Sequence, residues 1–208
     1  QPVYSEQGLP SLQVLEPSEM VSPPQIQRKL QLPLTPRDLS SINTVEKFDS
    51  LPLLLRQRSR AYAKDIAIIT VSLKGKETRS ISWDKLYLKA EKIAQQITKK
   101  SGLYKGDRVT LIYQDFEVVE FAIAFFGCLL AGVVAIPISN ELTIKDIIQV
   151  MEKTQSHLCL TSDSVYKNFE KMNNDSATKI DWPKGVVFWK TEDMGTYQLS
   201  KKHDPPAL

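Results

Sequence analysis

Eighteen consecutive residues, Phe121 to Ile138, carry no charge. A run of that length reaches the lower bound for crossing a bilayer as a helix, so what it folds into decides the class of the whole chain. Its internal punctuation argues against a span. Gly127 and Gly132 interrupt it, and Ala131-Gly132 has the form of a helix end. Val133-Val134-Ala135-Ile136 is rich in β-branched residues and Pro137 closes it, which suits a strand. The run therefore reads as a buried helix feeding a central strand. A helix-and-strand hairpin in lipid would leave the strand's backbone groups unpaired, and no membrane span is expected.

The flanking segments extend the same alternation. Val109-Thr110-Leu111-Ile112-Tyr113 is apolar on both faces, as a central parallel strand is. A helix is predicted from about Phe116. Upstream, Val45 to Ala63 has helical apolar spacing, with Pro52 in its first turn. Ile66 to Val71 and Arg79 to Ser82 read as two hairpin strands around Lys74-Gly75-Lys76. Ser82 is placed to cap a helix whose stripe is Trp83, Leu86, Tyr87, Ala90, Ile93, Ala94 and Ile97, stopped by Gly102. Thr143-x-x-Asp146 resembles a capping box. His157 to Thr161 and Val186 to Trp189 complete a set of buried strands. The expectation is an α/β fold, a largely parallel sheet flanked by helices on both faces.

Proline divides the chain. Eight of the 12 prolines fall at or before Pro52, and only Pro137 lies between residues 53 and 182. Pro2 to Pro36 cannot sustain helices or central strands, so residues 1–40 read as a Pro-rich extended linker or tail, and residues 41–208 as the α/β unit.

Charge and composition exclude more than they identify. A net charge of +3 gives no nucleic-acid surface by itself. Cys128 and Cys159 lack metal-ligand spacing, and the chain has only two histidines, His157 and His203. A disulfide scaffold, a zinc site and Ser-His-Asp chemistry are therefore not expected, and the thiols fit a reducing, intracellular setting. Neither GxGxxG nor GxxxxGK[ST] occurs. Glu117 and Glu120 read as a solvated first helical turn. Lys85, Lys89, Lys92 and Lys99 interleave with Asp84 and Glu91 as an ordinary polar face. Phe121, Phe125 and Cys128 face either the core or the wall of an acyl pocket. No residue is assigned as catalytic, cofactor-binding or metal-binding.

Three segments in order carry a resemblance. Ile81-Ser82-Trp83-Asp84-Lys85-Leu86 resembles the first core motif of adenylate-forming enzymes, with Trp83 and Leu86 at its defining positions. Gly102-Leu103-Tyr104-Lys105-Gly106-Asp107-Arg108-Val109 is similar to that family's turn into a central strand, carried by Gly102, Gly106 and Asp107. Phe126 to Ile138 resembles the second core motif through Gly127, Gly132 and Pro137. The wording of this third segment is similar to fatty acyl-AMP ligases and to the related domains of the disco-interacting protein 2 family; the Pro-rich lead-in suggests a domain inside a larger chain, which favours the second group, with a fungal member expected.

The resemblance implies the first subdomain of an adenylate-forming domain. Lys202 to Leu208 resembles the lead into the strand before that family's phosphate loop, so the loop itself is expected beyond Leu208. The parent would use ATP and Mg²⁺ to activate a fatty acid, transfer it without coenzyme A, and act in lipid metabolism involving diacylglycerol. This chain would bind no cofactor alone. Its partners would be the remainder of the domain and, through the parent, a fatty acid or other lipid. The expected location is cytoplasmic or peripheral to an organelle membrane. A non-catalytic lipid- or protein-binding scaffold on the same fold is the alternative.

Overall fold

A computed structural model describes residues 50–139, 141–174 and 180–194. The expected tail over residues 1–40, residues 45–49 of the segment with helical spacing, and the segment 202–208 lie outside the described residues.

The chain opens with α1 (Leu51–Ala61), where the Ser50 hydroxyl accepts the Leu53 N–H and Pro52 fits the first turn because its missing donor is not needed there. An antiparallel hairpin follows, β1 (Ile66–Val71) and β2 (Glu77–Ser82), forming a sheet of its own. Next come α2 (Trp83–Lys100), β3 (Arg108–Ile112), α3 (Val118–Ala131), β4 (Val134–Ile138), α4 (Ile144–Thr154) and β5 (Leu158–Thr161). The described chain ends with α5 (Asp163–Asn174), β6 (Val187–Lys190) and the short α6 (Thr191–Met194). Four strands form a parallel sheet in the order β4-β3-β5-β6.

Side chains alternate across this sheet, which is why both faces need helices. Val109, Leu111, Leu158 and Leu160 pack with Leu86, Ile93 and Ile97 of α2 and Ile123 and Leu130 of α3. On the opposite face, Ile112, Ile138 and Cys159 pack with Ile147 and Met151 of α4 and Val165 of α5. The expected fold class is therefore present, with α1, α2 and α3 serving one core and α4 and α5 the other.

The uncharged run divides as expected, into α3 and β4, but three details differ. Gly127 does not interrupt the helix. It lies inside α3, where a Cβ would fall 2.6 Å from Ile93 Cγ2 and 3.1 Å from the Ala90 carbonyl oxygen of α2. Glycine permits a close helix approach there. Second, α3 begins at Val118 rather than near Phe116. Third, β4 is an edge strand of the described sheet, with Val134 49% exposed; Pro137 is tolerated because an edge strand can spare a donor.

β6 is likewise an edge strand rather than a buried one, and Val187 is 51% exposed. No described helix is long and apolar enough to cross a membrane.

The three motif segments serve as joints. Trp83 starts α2, where Ser82 occupies the cap position without a side-chain bond to the backbone; its hydroxyl donates instead to the Asp84 carboxylate. Leu86 is buried, and Gly102 follows the helix end at Ser101. The Gly106 N–H donates to the Gly132 carbonyl at 2.9 Å, and the Val134 N–H to the Asp107 carbonyl at 2.7 Å. The Asp107 carboxylate accepts the Tyr104 N–H at 2.7 Å. Gly132 ends α3 at φ 74°, a left-handed conformation that costs a side-chain-bearing residue roughly 1–2 kcal/mol.

Candidate functional site

In open parallel sheets, ligands enter at the carboxyl ends of the strands, where successive connections turn to opposite sides. From β3 the chain runs outward to β4 and then crosses back to β5, so here that point lies between β3 and β5. The loop after β3 supplies Tyr113, Gln114, Asp115, Phe116 and Glu117, and the loop after β5 supplies Ser162. The first turn of α5 adds Asp163 and Ser164.

Glu117 spans the two. One carboxylate oxygen accepts the Gln114 N–H and the other the Ser164 hydroxyl, each at 2.8 Å. Ser164 and Ser162 share a hydroxyl contact of 3.0 Å, and Ser162 Oγ accepts the Val165 N–H at 3.2 Å, capping α5. The Thr161 hydroxyl donates to the Ile112 carbonyl at 2.9 Å, fixing the ends of the two central strands against each other. Glu120 is also not part of a solvated turn: it pairs with Arg79 of β2, and its side chain is only 13% exposed. Both do stand at the start of α3, as the reading of a first helical turn had it, but that turn is not simply solvated, since each carboxylate has a partner from another element. Sequence proximity had hidden partners that only the tertiary fold supplies.

Toward β6 the edge becomes charged. Lys190 Nζ lies 3.2 Å from Asp163 and 3.3 Å from Asp193, and Lys167 approaches Asp163 at 2.5 Å. Hydrogen bonds from Lys167 and Lys190 hold the Asp163 carboxyl below its ordinary range, and the same carboxylates raise Lys190. Tyr113 is buried beside them, its hydroxyl donating to Thr191 Oγ1 at 3.3 Å. Burial pushes the Tyr113 hydroxyl well above its ordinary pKa, so it remains a protonated donor.

Two clefts flank the β3 end. One, of about 330 Å³, is lined by Tyr113, Asp115, Val118, Phe121, Pro137 and Ser139 among others. The second, of about 350 Å³, lies against α4 and α5 and is lined by Ile112, Leu142, Ile144, Ile147, Val165 and Phe169 among others. Gln114 lines both.

The expected acyl-wall residues do not converge. Phe121 lines the first cleft and meets the Tyr113 ring edge-on at 6.2 Å between centroids. Phe125 stacks on Phe121 at 5.9 Å but lies outside that lining. Cys128 has no exposed surface, and burial raises its thiol pKa. From the motif segments, Pro137 and its neighbour Ile138 line this cleft; Trp83, Leu86, Gly102, Gly106, Asp107, Gly127 and Gly132 lie outside it. Gln114, Glu117, Ser162 and Ser164 were not singled out for this edge. Their signal was positional, since each closely follows a strand apolar on both faces.

Among the described residues, no group of three or more His, Cys, Asp or Glu could hold a metal ion. Nor do they include a glycine-rich phosphate cradle at the carboxyl edge. On their own, they do not fit a metal–triphosphate complex.

The sequence model of the AMP-binding enzyme family matches residues 55–207. The chain belongs to that family. Among curated relatives, this AMP-binding family member is 40% identical over 188 residues to a Schizosaccharomyces pombe protein, covering 86% of this chain and 12% of that one. It is 39% identical to the Homeostatic regulator of DAG of Saccharomyces cerevisiae, covering 84% of this chain and 11% of that protein. Human Disco-interacting protein 2 homolog B is 31% identical over 147 residues, 65% of this chain and 9% of that protein. The chain thus spans about a tenth of the length of these relatives. In fold it is similar to a fatty acid AMP ligase from Legionella pneumophila, with a TM-score of 0.58 and 19% identity over 74% of this chain and 26% of that one.

Proposed function

We propose that this chain is the first, non-catalytic α/β subdomain of a larger adenylate-forming protein. The complete protein would activate a fatty acid with ATP and Mg²⁺: the carboxylate attacks the α-phosphorus, pyrophosphate leaves, and an acyl-adenylate forms. The acyl group then passes to an acceptor other than coenzyme A, in lipid metabolism involving diacylglycerol. The family match over residues 55–207 is the observation that carries this reading. The yeast relative named for diacylglycerol homeostasis and the fold of the Legionella ligase support its lipid side.

In this reading the chain contributes sheet, helices and one wall. Phe121, backed by Phe125, gives the cleft beside Tyr113 an apolar surface on which an acyl chain can lie. Cys128, which does not line the cleft, belongs to the buried core against which Phe121 and Phe125 pack. The metal and the triphosphate would be held by the remainder of the domain, the principal partner of this surface.

The reading is tested by thermal unfolding of the chain with Mg-ATP, a long-chain fatty acid and a non-hydrolysable acyl-adenylate mimic, each added separately. A ligand that binds only the folded state at 100 times its Kd stabilises it by about 2.7 kcal/mol. No shift with ATP or the mimic is expected for the chain alone, whereas the full-length product should trap fatty acid as a hydroxamate when supplied with ATP and hydroxylamine. A clear ATP shift in the chain alone, or no trapping by the full-length product, overturns it.

A second reading, a lipid- or protein-binding scaffold, is favoured by one observation. The carboxylate of Glu117, bonded to Ser164, already occupies the junction between β3 and β5 where ligands ordinarily enter. Full-length protein that binds fatty acid without turning over ATP would select it.

A further inference from the structure

The hairpin turn between β1 and β2 belongs to neither cleft. Along β1, Ile69 and Val71 are both exposed, the pairing with β2 shifts register between Thr70 and Val71, and the chain continues into Leu73. Exposure climbs along this series, from 37% at Ile69 to 64% at Val71 and 109% at Leu73. An exposed aliphatic residue is ordinary when alone. A graded series ending at a protruding tip is not.

The tip is held by its own bonds. The Ser72 N–H donates to the Lys76 carbonyl and the Gly75 N–H to the Ser72 carbonyl, both at 2.8 Å. Ser72 Oγ accepts the Lys76 N–H at 3.2 Å, and behind the turn the Thr70 and Thr78 hydroxyls meet at 2.9 Å. Leu73 is thus presented by a closed turn rather than by a loose loop. Lys74 and Lys76 stand beside it, both exposed and neither with an ion-pair partner among the described residues. Glu77 opposes Val71 across the hairpin and is the counter-charge of the tip.

We propose that this hairpin tip is an interfacial membrane contact, which seats Leu73 and Val71 among the headgroups and acyl boundary of an anionic leaflet while Lys74 and Lys76 meet the lipid phosphates. One short turn, Ser72 to Lys76, presents few residues for a stable protein interface, which buries of the order of 1,000 Å² or more. A bilayer needs no complementary pocket, and it rewards apolar burial combined with neighbouring lysines. With two lysines against one carboxylate, the contact is weak, reversible and salt-sensitive. The proposal does not depend on adenylate chemistry.

Flotation of the chain with vesicles, without nucleotide, tests it. Vesicles of phosphatidylcholine with phosphatidylserine should retain the protein, and vesicles of phosphatidylcholine alone should retain several-fold less. Leu73→Asp should weaken retention about tenfold or more, Lys74→Glu with Lys76→Glu should remove the preference for anionic vesicles, and Glu77→Gln should strengthen it. Tyr104→Asp, at another exposed site 80% accessible, should leave retention unchanged. All of these positions are exposed, and an unchanged Tm checks that each variant folds. Retention of Leu73→Asp equal to the original, equal binding to neutral vesicles, or no binding to either overturns the proposal.

Discussion

Gly127 sets the distance between α2 and α3. The nearest atom to an added Cβ belongs to Ile93, a fully packed residue, and the next barrier is the Ala90 carbonyl, which cannot rotate away. Gly127→Ala should therefore destabilise the fold by about 1–3 kcal/mol through overpacking, although alanine is the better helix former. The urea midpoint measures this, and Ile93→Val should recover little of the loss, because valine keeps the Cβ and Cγ2 that the new methyl would strike. Asp84 acts through charge. The Lys64 ammonium at 2.8 Å, then the Ser82 hydroxyl and the Lys85 N–H, lower its carboxyl from 3.8 to about 2. A depressed folded-state pKa means that the contribution is fully present above the unfolded value and is lost as pH falls from about 4 toward about 2. Asp84→Asn should flatten stability across that acid window, and salt should shrink the difference because the pair is exposed. Urea midpoints at about pH 6 and about pH 2.5 test the sign.

At the scale of elements, the amino edge of the parallel sheet depends on Ser156. Its hydroxyl oxygen accepts the buried Thr110 N–H at 3.1 Å, and its hydrogen reaches the Arg108 or Leu158 carbonyl at 3.1 Å. Ser156→Ala leaves the Thr110 donor without that acceptor and should cost about 1–3 kcal/mol. Faster exchange of the Thr110 amide, read by hydrogen exchange, would distinguish this from a general loosening. Elements like β3 and β5 were legible in the sequence because strands buried on both faces write continuous apolar runs. α4 was legible through Thr143, whose hydroxyl accepts the Asp146 N–H at 3.2 Å. α5 passed unnoticed: its polar face is long, and its only fully buried residue is Val165. The central position expected for β4 failed for a related reason. Val134 and Ile136 look the same in sequence whether the next neighbour is a strand or the sheet's boundary.

At the scale of the whole molecule, the order of motifs conveyed the family and the fold, since turns such as Gly106-Asp107 and Gly132-Val133 are read locally and meet each other once folded. The candidate site was far less legible. Glu117 and Ser164 lie 47 positions apart, and nothing in either neighbourhood announces the other. The hairpin tip was visible as a turn, but its apolar gradient emerged only from exposure. Another consequence lies in the boundary strands of the described sheet. β4 turns a proline toward its limit, so the ladder cannot be extended there by regular pairing. β6 reads Val187-Phe188-Trp189-Lys190 and has no such guard. Among the described residues, the pairing edge left open is therefore one-sided. A stray strand meeting those residues would add at β6, and a lysine or proline placed at exposed Val187 would be the simplest way to keep concentrated samples from clumping.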